Sequence, residues 1–292
     1  MNIDIMTIMV YGHKGWIGQQ FINILNSKKL NYILGNSRVD NIDTLLQELN
    51  EQKPTHIISF IGRTHGVIDT QEFSTIDYLE QPGKLRENMC DNLYAPVSLA
   101  LACKERGIHY TYLGTGCIFN SNCDEDVFTE EDKPNFFGSS YSTVKGFTDR
   151  LMHQLGNHIL NIRIRMPIVG EEHPRNFITK ITKYDKICSI PNSMTVLPEL
   201  LPIVLDMMIS NTVGTINLTN PGTISHNEIL ELYKEYVNPK FTWKNFTIKE
   251  QRQILASERS NNFLDTTKLQ NFAPTVRPIK QAIKELLIRY NL

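Results

Sequence analysis

The feature that most constrains this fold is a glycine-punctuated turn near the start of the chain. Gly12-His13-Lys14-Gly15-Trp16-Ile17-Gly18 follows directly on the apolar run from Met6 to Tyr11. An apolar run that stops at a glycine reads as a buried strand. Ile17, Phe21, Ile22, Ile24 and Leu25 then recur at helical spacing. A G-x-x-G-x-x-G turn between strand and helix permits a tight reversal and close helix–strand packing, and it lets the backbone approach a pyrophosphate. The helix N-terminus then offers amide donors to the phosphates. Gly12, Gly15, Trp16, Ile17 and Gly18 are therefore the candidate cofactor-binding residues.

The pattern continues as strands and helices in alternation. Tyr32–Leu34 and His56–Ile61 read as strands, the latter stopped by Gly62, and Tyr110–Gly114 and Ile159–Met166 as two more. Asn92–Arg106 and Ser139–Leu155 read as helices. This order predicts an α/β chain built on a doubly wound parallel sheet. Beyond Pro167 the pattern is less regular. The expected division is a dinucleotide-binding domain over 1–166 and a smaller substrate-binding part over 167–292. A segment near 195–220, containing Thr215-Ile216-Asn217-Leu218, is expected to rejoin the sheet. After the second strand come Gly35-Asn36-Ser37-Arg38, with no acid to take a ribose 2′-hydroxyl. Arg38 instead suits a 2′-phosphate, which favours NADP(H) over NAD.

Composition excludes several classes. Thirty Lys and Arg against 31 Asp and Glu leave a net charge of −1, so no strong field favours nucleic acid or an anionic membrane. No apolar run approaches the roughly 18–20 residues of a membrane span, and the apolar N-terminus lacks the basic flank of a leader. The five cysteines (90, 103, 117, 123 and 188) include no C-x-x-C pair, which argues against a disulfide framework and a zinc site. Cys90, Cys103 and Cys188 read as structural thiols of a reducing, cytoplasmic protein. Glu171-Glu172-His173 are too close in sequence to make a metal site alone, so no metal is expected. Asp124-Glu125-Asp126 and Glu130-Glu131-Asp132 read as solvated acidic turns.

The chemistry is carried by Tyr141-Ser142-Thr143-Val144-Lys145. On a helix the i,i+4 spacing sets Tyr141 and Lys145 on one face. An ammonium beside a phenol stabilises the phenolate, so the hydroxyl can exchange a proton near neutral pH. Y-x-x-x-K about 125 residues after a nucleotide loop resembles the extended branch of the short-chain dehydrogenase/reductase superfamily, which acts mostly on nucleotide sugars. Thr115 stands where that superfamily keeps a Ser or Thr to hydrogen-bond the substrate oxygen. Related 4,6-dehydratases carry Thr-Asp-Glu there, whereas this chain has Thr115-Gly116-Cys117, which excludes dehydration. If the strand persists, Cys117 shares the Thr115 face.

Longer runs narrow the resemblance. Tyr112-Leu113-Gly114-Thr115-Gly116-Cys117-Ile118-Phe119, Phe136-Phe137-Gly138-Ser139-Ser140-Tyr141 and Arg163-Ile164-Arg165-Met166-Pro167-Ile168 are similar to the bifunctional epimerase-reductases that complete UDP-L-rhamnose synthesis. So are Pro174-Arg175-Asn176-Phe177-Ile178-Thr179-Lys180, Ser225-His226-Asn227-Glu228 and Phe241-Thr242-Trp243. The resemblance implies 3,5-epimerisation and NADPH-dependent 4-reduction of UDP-4-keto-6-deoxy-D-glucose. It implies Thr115, Tyr141 and Lys145 for reduction, and Cys117 with Lys180 for epimerisation. A Lys acts as a base only where burial or a neighbouring cation depresses its pKa. Arg175, Asn176 and Arg259 are the candidates for sugar or diphosphate contact. A separate 4,6-dehydratase would supply the UDP-sugar substrate, and a homodimer is the assembly considered. The segment from Gly62 to about Glu87 departs from the family pattern and receives no role. Two alternatives remain: a plain dTDP-4-dehydrorhamnose reductase, which needs neither Cys117 nor Lys180, and a non-catalytic NADP-binding subunit, against which the intact Thr115, Tyr141 and Lys145 speak.

Overall fold

A computed structural model describes residues 6–121 and 126–290. The first residues of the N-terminal run, Cys123, and Asp124 and Glu125 of the first acidic turn lie outside the described residues. In chain order the first elements are β1 (Ile8–Tyr11), α1 (Trp16–Ser27), β2 (Tyr32–Leu34), α2 (Ile42–Gln52), β3 (His56–Ser59), β4 (Gly66–Ile68) and β5 (Gln71–Phe73). Then come α3 (Leu85–Met89), α4 (Ala95–Glu105), β6 (His109–Thr115), β7 (Val127–Phe128), α5 (Ser140–Gln154) and β8 (Ile159–Ile164). The rest are β9 (Pro167–Ile168), α6 (Phe177–Thr182), β10 (Thr195–Val196), α7 (Leu197–Ile209), β11 (Gly214–Asn217), α8 (His226–Tyr236), α9 (Ile248–Ile254), β12 (Phe263–Leu264), α10 (Thr267–Phe272) and α11 (Ile279–Ile288).

These elements form two compact units. The first comprises Met1–Thr115, Ser140–Arg163 and Leu201–Ile216, the second Gly116–Ser139, Ile164–Leu200 and Asn217–Leu292. The chain thus passes between units at 115/116, 139/140, 163/164, 200/201 and 216/217.

The first unit is built on a six-stranded sheet in the order β11-β8-β6-β3-β1-β2. β1 runs parallel to both neighbours, with Met9 opposite Ile33 on one side and Ile57 on the other. Strand order therefore reverses at β1, and the glycine turn sits at its carboxyl end, where open α/β sheets bind ligands. The strands read as unbroken apolar runs because helices cover both faces. Met9, Tyr11, Ile57, Tyr110 and Tyr112 are buried with Leu45, Leu49 and Leu99 in one core cluster. The helix expected from Asn92 is longer: α3 runs through a π turn over Cys90–Tyr94 into α4.

The second unit pairs β9 with β10 and β7 with β12, both parallel. Its core gathers Ile178 and Ile181 of α6, Ile229 and Leu230 of α8, and Ile283 and Leu287 of α11. Reciprocal capping boxes start α8 (Ser225 with Glu228) and α9 (Thr247 with Glu250), each satisfying two backbone donors. The acidic triplet at 130–132 is not all solvated. Glu130 is buried and accepts from the Asn217 amide at 3.0 Å, and burial raises its pKa. Its neighbour Glu131 stays exposed, paired with Lys268 at 2.9 Å.

Candidate active site

In the first unit the glycine turn has the shape that a dinucleotide needs. Gly12 has φ +71°, and a Cβ there would lie 2.7 Å from the Phe60 carbonyl carbon. A Cβ at Gly18 would lie 2.4 Å from the Gly12 oxygen, so any side chain would push helix from loop. Gly15 caps α1 without a side-chain acceptor, and the first turn holds no acid. The α1 amides and the positive end of its dipole are thus available to an anion.

At the end of β2, an open cleft of about 680 Å³ is lined by Asn36, Ser37, Arg38, Asp40, Asn41 and Thr44. Arg38 lies at this cleft with its side chain 75% exposed, in a two-pronged contact with Asp40 at 2.9 and 2.6 Å. That bond holds the Asp40 carboxyl below its usual range. The sequence shows no acid where β2 ends, yet folding delivers two. Glu48 of α2 accepts from the Asn36 and Ser37 amides at 2.8 and 3.0 Å and from the Tyr11 hydroxyl at 2.7 Å. Asp40 also accepts from the Cys90 thiol at 3.5 Å.

The reductase set gathers where β6 ends and α5 begins. Thr115 is the last residue of β6 and is buried. Tyr141 and Lys145 lie one turn apart on α5. Lys145 is buried and reaches back to β6, donating to the Tyr112 hydroxyl and, at 3.4 Å, to the Leu113 carbonyl. Burial first, then the charges of Tyr110, Tyr141 and Asp149, raise the Tyr112 pKa far above that of a free phenol. Tyr112 therefore stays neutral and serves as a fixed acceptor for the ammonium. Nothing in its sequence position, a strand tyrosine facing the core, distinguishes it from Tyr110. Beneath this set Asp149 receives a two-pronged contact from Arg163 at 2.8 and 2.7 Å and a bond from Asn161 at 2.9 Å. The two ionic side chains are 4% and 0% exposed.

In the second unit the expected geometry needs one correction. The strand does not persist past Thr115: Gly116 bends and Cys117 and Ile118 form a turn, so strand alternation does not orient the thiol. Cys117 is half-buried and lies within electrostatic reach of Arg165. Asn176 is fully buried, and its amide is engaged by the protein. Its oxygen accepts from the Val169 and Ile178 amides at 3.3 Å each. Its nitrogen donates to the Val169 and Glu171 carbonyls and to the Tyr290 hydroxyl at 3.0, 2.7 and 3.2 Å. It is the N-cap of α6.

That cap fixes the helix carrying Lys180. Burial, reinforced by the positive charges of Arg175 and Arg259, lowers the Lys180 pKa to about 8. This is the depression a lysine base requires, and both arginines named for the diphosphate contribute to it. Arg259 itself donates to the Ser257 carbonyl and hydroxyl at 3.1 and 2.8 Å. Of the metal candidates, His173 accepts from the Arg175 amide at 3.0 Å and Glu172 pairs with Lys183 at 2.5 Å. Among the described residues no His, Cys, Asp or Glu cluster could hold a metal ion, and no helix is long and apolar enough to cross a membrane.

With a glycine turn at the sheet's reversal point and Y-x-x-x-K on the helix beyond β6, this is a nucleotide-dependent α/β enzyme fold. The chain belongs to the RmlD substrate binding domain family, whose model matches residues 6–197. It is 51% identical to the L780 UDP-rhamnose synthase of Acanthamoeba polyphaga mimivirus, whose crystal structure superposes with a TM-score of 0.94, covering 97% of this chain and 99% of that one. It is 38% identical over 289 residues to the bifunctional dTDP-4-dehydrorhamnose 3,5-epimerase/dTDP-4-dehydrorhamnose reductase of Arabidopsis thaliana, covering 97% of this chain and 93% of the relative. A trifunctional UDP-glucose 4,6-dehydratase/UDP-4-keto-6-deoxy-D-glucose 3,5-epimerase/UDP-4-keto-L-rhamnose-reductase of Arabidopsis thaliana is 40% identical, and the match takes in 98% of this chain but 41% of that protein.

Proposed function

We propose that the protein converts UDP-4-keto-6-deoxy-D-glucose to UDP-L-rhamnose by 3,5-epimerisation and NADPH-dependent 4-reduction. The observation that carries this reading is the likeness, across nearly the whole chain, to a UDP-rhamnose synthase, joined by a second candidate base, Lys180 on α6, whose pKa burial and the charges of Arg175 and Arg259 lower. A plain ketone reductase has no use for a second base. The names of the relatives support the same pair of activities and the same kind of sugar.

The C4 ketone acidifies the C–H bonds at C3 and C5. In each epimerisation a C–H bond breaks, its electron pair moves onto the C4 oxygen as an enolate, and Cys117 or Lys180 takes the proton. Return of a proton to the opposite face inverts the centre. Thr115 and Tyr141 hydroxyls hold the enolate oxygen. In the reduction Tyr141 gives its proton to the C4 oxygen, and Lys145, steadied by Tyr112, keeps that phenol ready to ionise. NADPH, when bound, supplies the hydride to C4. Gly12, Gly15, Gly18 and the first turn of α1, with Trp16 and Ile17, would hold its pyrophosphate, and Arg38 its 2′-phosphate.

Thr115-Gly116-Cys117 lacks the carboxylates of a dehydratase, so the 4-keto sugar must come from a dehydratase activity outside these residues. A cytoplasmic setting fits Cys90, Cys103, Cys117 and Cys188, which stand as thiols rather than half-cystines. A homodimer belongs to the same reading, supported by the exposed Tyr94, Leu101, Phe147 and Leu151. Phe147→Asp would then halve the mass measured by light scattering.

The test is incubation with NADPH and either UDP- or dTDP-4-keto-6-deoxyglucose in deuterated water, with the sugar identified by NMR. The expected product is the UDP-L-rhamnose carrying deuterium at C3 and C5. NADPH oxidation without deuterium at either carbon would make the protein a plain reductase.

A further inference from the structure

The segment from Gly62 to Glu87 takes no part in the chemistry above, yet it closes on the helix that carries Tyr141 and Lys145. The first amides of a helix have no acceptor within it. At Ser140, the first residue of α5, the acceptor comes from sixty residues earlier: the Glu80 carboxylate takes the Ser140 amide at 2.7 Å. The Ser140 hydroxyl accepts from the Asn88 side-chain amide at 2.9 Å. Tyr141 is the next residue, so its backbone starts from a point held twice.

Glu80 is itself held in place. It ends a short 3₁₀ turn over Ile76–Glu80 whose Tyr78 and Leu79 are buried. Thr75 starts that turn, its hydroxyl donating to Asp77 at 2.8 Å, and Gln81 closes it with a bond to the Asp77 carbonyl at 3.0 Å. β4 lies so close to the Tyr78 ring that a Cβ at Gly66 would come within 2.4 Å of it. The Tyr78 hydroxyl and the Lys84 ammonium both donate to Glu87, each at 2.6 Å. The other end of the segment is fastened as well. The Arg63 amide and carbonyl bond to the Asn92 side chain at 3.0 and 2.9 Å. Asn92 also donates to Asn88 at 2.9 Å, and its carbonyl accepts from the Thr148 hydroxyl of α5 at 2.6 Å. The helix is therefore held at Ser140 and at Thr148, and Tyr141 and Lys145 lie between the two.

A Ser or Asn just before a helix satisfies its amides locally. A carboxylate does so with charge as well, because the helix N-terminus is partly positive. When it comes from another segment, it also ties the place of the helix to the place of the loop. We propose that Glu80 is a positioning residue for the reduction, a carboxylate that caps α5 from outside and sets where Tyr141 stands. This rests on the reading of Tyr141 as the acid of the reductase set.

The test compares Glu80→Ala and Glu80→Gln with wild type and with Thr247→Ala, which removes the cap of α9 and controls for lost stability alone. Reduction of already epimerised 4-keto-L-rhamnose nucleotide is measured as kcat and KM, NADPH affinity as Kd, and folding as the urea midpoint. Glu80→Ala should lower kcat about tenfold, short of the roughly 10²-fold that a 1 Å misplacement costs. KM and the NADPH Kd should stay within about twofold of wild type, since the lost interaction binds neither ligand. Glu80→Gln keeps an acceptor oxygen and should recover kcat to within about threefold. Thr247→Ala should lower the urea midpoint and leave kcat unchanged. Hydrogen exchange of the 140–145 amides, followed by mass spectrometry, reads the cap without turnover, and Glu80→Ala should speed it about tenfold. Wild-type kcat in a folded Glu80→Ala overturns the proposal, as does a loss of kcat that Thr247→Ala reproduces, or unchanged exchange over 140–145. If Glu80→Ala does not fold, Glu80→Asp, one methylene shorter, takes its place, and wild-type kcat and exchange there overturn the proposal. Normal turnover in Tyr141→Phe would instead reject the reading of Tyr141, and the exchange rates would still decide whether Glu80 caps α5.

Discussion

Arg163 and Arg165 stand two residues apart at the end of β8, both essentially inaccessible, and they meet the cost of burial in opposite ways. In the first unit Arg163 closes on Asp149, whose remaining capacity goes to Asn161. The charges cancel locally, and the result is a rigid floor under the helix that carries Tyr141 and Lys145. In the second unit Arg165 meets only neutral acceptors, and Lys180 is crowded by further positive charge. The first arrangement holds geometry. The second shifts proton affinities, which is what proton abstraction from carbon requires. One unit's polar interior is thus built for position and the other's for reactivity.

The largest effect should come from breaking the neutralised pair. Asp149→Ala strands Arg163 and should cost about 3–5 kcal/mol, read as a lowered urea midpoint. The double variant Asp149→Leu/Arg163→Met should recover most of that loss, because a well-packed apolar pair has no stranded charge. A single variant within about 0.5 kcal/mol of wild type would end the distinction between the two arginines.

Next is the acid of the reductase set. Tyr141→Phe should lower NADPH oxidation with the pre-epimerised sugar by at least about 10²-fold, with NADPH affinity nearly intact. Near-normal turnover would dismiss Tyr141 as the donor.

The second unit makes a prediction in pH. Lys180 is active as the neutral amine, so the exchange that depends on it should climb about tenfold per pH unit below 8 and level off above. Lys180→Met should abolish that limb. The same shift enters stability with a definite sign. The folded-state pKa lies below the unfolded value, so the unfolded chain binds more protons between about 8 and 10.5, and stability rises with pH across that window. A flat exchange profile between pH 6 and 8 would remove Lys180 from the mechanism.

The smallest effect belongs to Arg38. An exposed guanidinium already shared with Asp40 should give only about 1 kcal/mol of preference for NADPH over NADH, measured as the change in Kd ratio in Arg38→Ala. Asp40→Asn should widen the preference by releasing the arginine. No change in either variant would assign the pair to the surface.

Local features were the legible ones. The glycine turn, the apolar strands and Y-x-x-x-K each follow from spacing within a few residues, and the sheet they imply is the sheet observed. What escaped depends on partners distant in sequence. Arg165 meets Asn192 and Ser260, Tyr112 meets Lys145, and Glu130 meets Asn217, so nothing near any of them announces its setting. Asn176 is ambiguous for a different reason: an asparagine before a helix caps it, and the same amide could equally bind a sugar. Cys117 misled because a strand's end depends on where the neighbouring strand stops pairing, which periodicity within one segment does not record.

The threading of the chain has a consequence for its synthesis. β11, the outermost strand beside β8, ends at Asn217, some sixty residues after the helix bearing Tyr141 and Lys145 has emerged. Until then β8 presents bare backbone along one side of an otherwise assembled sheet, the kind of edge that recruits other chains. Unit-by-unit folding on the ribosome is closed to this topology, because each unit contains residues made after part of the other. A nascent chain therefore spends a long interval half-sheeted, and fragments that end before residue 214 should aggregate rather than fold. Chaperone demand, rather than chemistry, is where this weaving is felt first.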